Sequence, residues 1–238
     1  MAQSSLNVRV LAFGKLRASF PADGLPLQMQ TGDTVEVLRR KLVASATISA
    51  DESRCAAIAV NREYASDRTP LADGDEVAIL PPVSGGTGSG DDVVALIYEP
   101  IDTTAIQAAL KSGDDGAVCV FDGMVRNNTL GRSTLHLDYE AYEEMALAQM
   151  RGLREQAIAR FGVREVAIVH RLGRLLVGET SVLIVVASAH RGPAFEACRW
   201  VIDTLKKTVP IWKREQFVDG AVWADGEPFP EEIAGTKR

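Results

Sequence analysis

This chain of 238 residues has only three cysteines, Cys55, Cys119 and Cys198, far apart and with no CxxC pair. Neither a disulfide framework nor a zinc-ligand pattern can be built from them, which fits a reducing cytoplasm. Cys119 and Cys198 fall in apolar strand or helix patterns, the setting of a small buried thiol. Basic excess is also missing: 26 Lys and Arg stand against 32 Asp and Glu, for a net charge of −6. A general nucleic-acid binder or a ligand of acidic membranes is therefore not expected. No apolar run is long enough to cross a bilayer, and the start "MAQSSLNVRV" has no signal-peptide core. What remains is ordinary for a globular protein, with 46% hydrophobic and 24% charged residues.

Residues 1–86 read as strand, strand, helix, strand, strand. "NVRVLAFG" alternates, and "LPLQMQTG" supplies a second strand. "DTVEVLRRKLVASA" opens with Asp33 as N-cap and Glu36 three residues later, a capping-box spacing, and Val35, Leu38 and Leu42 recur at helical spacing. "CAAIAV" and "DEVAIL" are the later strands. This order predicts a β-grasp sheet packed on one helix. Residues 87–92, within "SGGTGSGDD", form a flexible linker with nothing large enough to pack.

Residues 93–238 mix strands and helices, giving an α+β class for the whole chain. "VVALIYEP" and "GAVCVFDGMV" flank a short helix capped by Asp102. "STLHLDYEAY" leads into the longest helical pattern, "EEMALAQMRGLREQAIARF". "EVAIVHRLG" and "SVLIVVASAH" are further strands. The second of them feeds "PAFEACRWVIDTLKK", with Pro193 near the helix start and Pro210 beyond its end. "EQFVDGAVWADG" reads as a hairpin turning at Asp219-Gly220.

Basic residues cluster at element ends. His190 and Arg191 follow an apolar strand and open a helix, where free N–H groups can meet an anion; local capping by His190 is the alternative. Arg126 begins "RNNTLGR" after another apolar strand, either solvated or converging with His190 and Arg191 on an anion pocket. In the helix after Pro193, the residues Phe195, Cys198, Val201, Ile202 and Leu205 make one apolar stripe. Lys206 lies at its edge, able to reach a cleft or to stabilise the helix C-terminus, and Lys207 points away. Trp212 and Lys213 face opposite ways in an extended segment, so an inward Trp212 turns Lys213 to a cleft or to water.

The run "DGDEVAILPPVSGG" ends in Gly85-Gly86, and residues 6–86 resemble the ubiquitin-like sulfur-carrier subunit of molybdopterin synthase. "FDGMVRNNTLGRS", "LDYEAYEEMA" and "SAHRGPAFEACRWVIDTLKKTVPIWKRE" resemble its large, catalytic subunit, from Val93 to Trp223. The resemblance implies a natural fusion that makes molybdopterin from cyclic pyranopterin monophosphate with two sulfurs from a Gly86 thiocarboxylate. Lys206 and Lys213 would be the catalytic lysines. Arg126, His190 and Arg191 would hold the phosphorylated pterin, and Arg214 is a basic position of the same motif. The implied partners are an adenylating E1-like enzyme, a sulfur donor and a homodimer mate joined through the large-subunit part; no metal or other cofactor is required. Because Gly86 is amide-bonded to Thr87, a processing protease must free its carboxylate first. Two other readings are a carrier fused to a domain of another sulfur-acceptor pathway, and a non-enzymatic docking module.

Overall fold

A computed structural model describes residues 5–81 and 93–224, which form two compact units divided between those segments. Gly85, Gly86 and the linker 87–92 lie outside the described residues. Among the described residues no helix is long and apolar enough to cross a membrane.

The first unit contains β1 (Ser5–Ala12), a 3-10 turn (Gly14–Ser19), β2 (Leu25–Gln30), α1 (Val35–Ala44), α2 (Ala50–Cys55), β3 (Ala57–Val60), β4 (Glu63–Ala65) and β5 (Glu76–Leu80). Its sheet order is β2-β1-β5-β3-β4, with β1 and β5 parallel and the other pairs antiparallel. Alternate residues of β1, namely Leu6, Val8 and Val10, turn inward onto Leu38 and Leu42 of α1, together with Ile58, Val77 and Ile79. This is the expected β-grasp arrangement, with α2, β4 and the 3-10 turn added. The Asp33 cap is corrected. Thr34 is the N-cap of α1, while the Asp33 carboxylate closes the preceding turn on the Gln30 N–H at 2.9 Å and pairs with Lys41 at 3.7 Å. The capping box belongs instead to α2, where Ser49 and Glu52 exchange bonds.

The second unit contains β6 (Val94–Ile97), α3 (Thr103–Leu110), β7 (Ala117–Met124), β8 (Asn128–Thr129), β9 (Arg132–Ala141), α4 (Glu143–Phe161), β10 (Glu165–Arg171), β11 (Gly173–Leu176), β12 (Thr180–Ser188), α5 (Arg191–Thr208), β13 (Ile211–Phe217) and β14 (Gly220–Trp223). Asp102 caps α3 as expected, accepting from the Ala105 N–H at 2.9 Å. One sheet runs β6-β10-β12-β7, and a second runs β11-β9-β13-β14 with β8 as a hairpin arm of β9.

α4 and α5 cover one face of the first sheet, packing Met150, Leu153, Val201 and Leu205 on Ile168, Ile184 and Val186. The short α3 covers part of the other face through Leu110, against Ala167, Leu183 and Val185. The α5 stripe is buried at Cys198, Val201, Ile202 and Leu205, but Phe195 is 63% exposed. Ala194 takes the inward position of that turn, because at 100° per residue it sits closer to the stripe's centre than Phe195 does. Cys198 is buried, Cys119 half-buried and Cys55 exposed; burial, reinforced by the adjacent Cys119, pushes the Cys198 thiol up to about 12. The last hairpin turns one residue earlier than expected, since Phe217 pairs with Gly220 around Val218 and Asp219.

Candidate active site

The second sheet of this unit sorts its residues by the two-residue period of a strand. Tyr139 of β9 pairs with Gly173 and Lys213, and Leu137 pairs with Leu175 and Glu215. These side chains therefore share one face. On it the Lys213 Nζ meets the Glu215 Oε1 at 2.9 Å; the carboxylate side chain is only 5% exposed and the lysine 29%. The other oxygen, Glu215 Oε2, is buried without a hydrogen-bond partner. Burial above all raises Tyr139; the Ser181 hydroxyl pulls it back and the Glu215 charge adds to the rise. Trp212 is 2% exposed, so the expected opposition of Trp212 and Lys213 holds.

Arg214 lies on the reverse face. There Asp138 sits between Arg174 and Arg214, 3.2 Å from each, with His136 at 3.6 Å and Trp223 beneath the Arg214 guanidinium. Burial alone would raise Asp138, but the two guanidiniums outweigh it and hold the carboxyl below its ordinary range. Strand alternation thus separates Arg214 from Lys213, its neighbour in sequence.

Arg126 reaches the Lys213 side through packing. Val125, which follows β7, is buried against Leu137 and Leu175, the row that also carries Glu215. Arg126 is the next residue and is exposed there. Helix α5 leaves the C-terminal end of β12 and packs back along β12 and β7, so its own C-terminus returns to the same end of the unit. Lys206 projects from that last turn, exposed, and Val209-Pro210 lead directly into β13. Arg126 and Lys206 are thus carried toward the end of the unit where Lys213 pairs with Glu215.

His190 and Arg191 do not join them within one chain. β7 and β12 are antiparallel, with Ser188 opposite Ala117 and Thr180 opposite Met124. Arg126 follows one strand and His190 the other, which puts them at opposite ends of the sheet, roughly 25 Å apart at strand rise. The helix agrees: Arg191 is its first residue, and Lys206 stands about 22 Å along the axis. The expected convergence of two strand ends holds for parallel neighbours and fails for this antiparallel pair. At the far end His190 is the N-cap by backbone alone, making no side-chain cap bond, and both His190 and Arg191 are exposed. A helix N-terminus, an arginine and an imidazole thus stand together at this end, groups able to meet an anion.

Sequence reasoning missed Glu215. Glu215 had a signal: two residues after Lys213 in a strand, it had to share the lysine's face.

A family model described as "MoaE protein" matches residues 96–208, and one described as "ThiS family" matches residues 10–86. Over 140 residues the chain is 42% identical to the molybdopterin synthase catalytic subunit of Pyrococcus abyssi, covering 58% of this chain and 95% of that protein. The same subunit of a Nostoc species is 42% identical over 132 residues, 55% of this chain and 80% of the other. Among solved structures, molybdopterin synthase from Staphylococcus aureus matches with a TM-score of 0.52 at 37% identity, over 55% of this chain and 94% of that one. A complex of subunits 1 and 2 of molybdopterin-converting factor from Helicobacter pylori gives 0.50 at 27% identity, over 58% and 94%. The chain belongs to the molybdopterin synthase catalytic-subunit family, and it carries a ThiS-family unit ahead of that subunit in the same polypeptide.

Proposed function

We propose that the chain is a molybdopterin synthase holding its sulfur carrier and its catalytic unit in one polypeptide, with boundaries at residues 1–86, 87–92 and 93–238. It converts cyclic pyranopterin monophosphate to molybdopterin by installing two sulfurs as a dithiolene. The observation that carries this reading is the Lys213 pair with the buried Glu215, with Arg126 next to the Val125 packed on the same row and Lys206 in the last turn of α5 just before β13.

Cleavage between Gly86 and Thr87 frees a carboxylate, which an E1-like enzyme adenylates and a sulfur donor converts to a thiocarboxylate. Two residues without side chains let that end thread a narrow channel. Its sulfur bonds to a pterin side-chain carbon as a bond from that carbon to oxygen breaks, the oxygen leaving on the phosphate or, protonated, as water; water then splits the acyl–sulfur bond, returning Gly86 as a carboxylate and leaving sulfur on the pterin. Two charged ends serve each product. Lys206 contacts or transiently bonds the acyl group, and Lys213, oriented by Glu215, moves the proton. Arg126, His190 and Arg191 hold the phosphate and pterin. Arg214 serves from the reverse face, bracing Asp138 and β9 behind the lysine strand.

The separation of about 22 Å along α5 is too long for one small substrate. A homodimer through the catalytic units meets this: the α5 N-terminus of one copy completes the lysine end of the other. The test is conversion of cyclic pyranopterin monophosphate by charged protein, expected for the wild type and lost in Lys206→Ala. A charged wild type that leaves the pterin unchanged, while passing sulfur to another acceptor, would favour the other sulfur-pathway reading.

A further inference from the structure

Arg126 lies between β7 and β8, outside any strand or helix, so the residues on either side of it set where its side chain starts. Both are held. The Asn127 carbonyl accepts from the Thr134 N–H of β9 at 2.9 Å. Val125 is gripped by the turn between β11 and β12: its N–H donates to the Glu179 carbonyl at 3.0 Å, and its carbonyl accepts from the Gly178 N–H at 2.9 Å. The Glu179 side chain shapes that turn. Its Oε2 accepts from the Leu176 N–H at 2.7 Å, and its Oε1 meets the Arg171 Nη1 at 3.1 Å. Arg171 ends β10 with a side chain only 10% exposed, and its Nε donates to the Tyr98 carbonyl, just past β6, at 3.1 Å. The ion pair thus ties the turn to the ends of β6 and β10 in the first sheet, and the turn holds Val125.

We infer that Arg171 and Glu179 are positioning residues for Arg126, fixing the start of its side chain through the grip of Gly178 and Glu179 on Val125. The inference rests on the reading of Arg126 as a group that holds the phosphorylated pterin. A buried ion pair adds little net stability over packed apolar groups; what it adds here is one fixed arrangement of the turn. An arginine meets a phosphate through directed, charge-assisted bonds, and these weaken once its backbone shifts. The loss then falls on pterin binding and not on sulfur transfer, because the grip acts on Arg126 and not on Lys206 or Lys213.

The experiment uses the full chain and two variants. Glu179→Gln keeps an acceptor for the Leu176 N–H and removes the charge facing Arg171. Arg171→Leu combined with Glu179→Gln removes both charges, so no buried one is stranded and the fold is kept. In sulfur-charged protein each variant raises KM for cyclic pyranopterin monophosphate about fivefold, with kcat within about twofold. In an Arg126→Ala background neither raises KM by more than about twofold further, whereas in an Arg191→Ala background the rise of about fivefold persists. An unchanged KM, a loss in kcat alone, or the same rise without Arg126 overturns the inference. A second arm needs no turnover. Amide exchange at Val125 and Gly178, followed by NMR, quickens in both variants by at least about tenfold more than at Ile168, whose N–H bonds the Val93 carbonyl in the core. Equal quickening at all three is a general loss of stability and also overturns it. A charged wild type that makes no dithiolene refutes the functional reading itself, whereas failure of the inference alone leaves the wild type active.

Discussion

Lys213 and Glu215, two residues apart on β13, pair at 2.9 Å on one face of the sheet, the carboxylate buried and the ammonium partly open. The buried partner makes the pair asymmetric. Removing Lys213 strands a buried charge, whereas removing both groups does not. Lys213→Ala is therefore expected to cost about 2 kcal/mol, below the value for a fully buried pair because the lysine keeps water contact. Adding Glu215→Gln recovers most of that stability without recovering sulfur transfer. Urea unfolding of both variants, with a turnover assay alongside, separates the structural effect from the chemical one. Equal stability of the single and double variants would show that Glu215 does not depend on Lys213.

The composite site predicts complementation between copies. Arg191→Ala and Lys206→Ala homodimers are each expected to be nearly inactive. Co-expressed, they form mixed dimers in which one site has both defects and the other has neither. A statistical mixture then regains about a quarter of wild-type activity. No recovery, with mixed dimers confirmed by differential tags, would place all the groups in one chain's site and contradict the antiparallel register.

His170 supplies a pH signature. Burial lowers it to about 4, against the weaker opposing effect of its bond to the Arg171 carbonyl. In the unfolded chain an ordinary histidine titrates near 6.5. The unfolded state thus binds the extra proton between those values, so this contribution is fully present above about pH 6.5 and is lost as pH falls toward 4. The difference corresponds to about 3 kcal/mol. The urea midpoint of the wild type should drop more between pH 7 and pH 4.5 than that of His170→Gln. Parallel drops would mean that His170 is protonated in the fold.

Gly116 packs against the turn that leads into His190. Its N–H donates to the Ser188 carbonyl at 3.1 Å, and a Cβ there would stand 2.3 Å from the Ala189 carbonyl oxygen, just before His190. Backbone cannot yield as a flexible side chain can, so Gly116→Ala is expected to cost about 1–3 kcal/mol. The displacement falls on the anion-binding end. KM for the phosphorylated pterin should rise severalfold with a smaller change in kcat; an unchanged KM would detach His190 and Arg191 from the phosphate.

Local patterns carried much of this account. The Asp102 cap, the α5 stripe after Phe195 and the opposition of Trp212 to Lys213 depend on neighbours a few residues apart, and each follows from strand or helix periodicity. Asp33 was misleading because a carboxylate can close a turn as readily as it can cap a helix, and here the Gln30 N–H was nearer. The larger gap was non-local. Arg126 and His190 both follow apolar strands, and nothing in either strand says that the two pair antiparallel.

The central claim is that the carrier end is freed, charged and consumed at the catalytic unit. Intact-mass spectrometry of the chain, after incubation with an adenylating enzyme and a sulfide source, tests this most directly. The account predicts an N-terminal fragment ending at Gly86 that gains the mass of sulfur in place of oxygen, and loses it again when cyclic pyranopterin monophosphate is added. An uncut chain that still yields the dithiolene, or a charged fragment whose sulfur persists in the presence of the pterin, would contradict it.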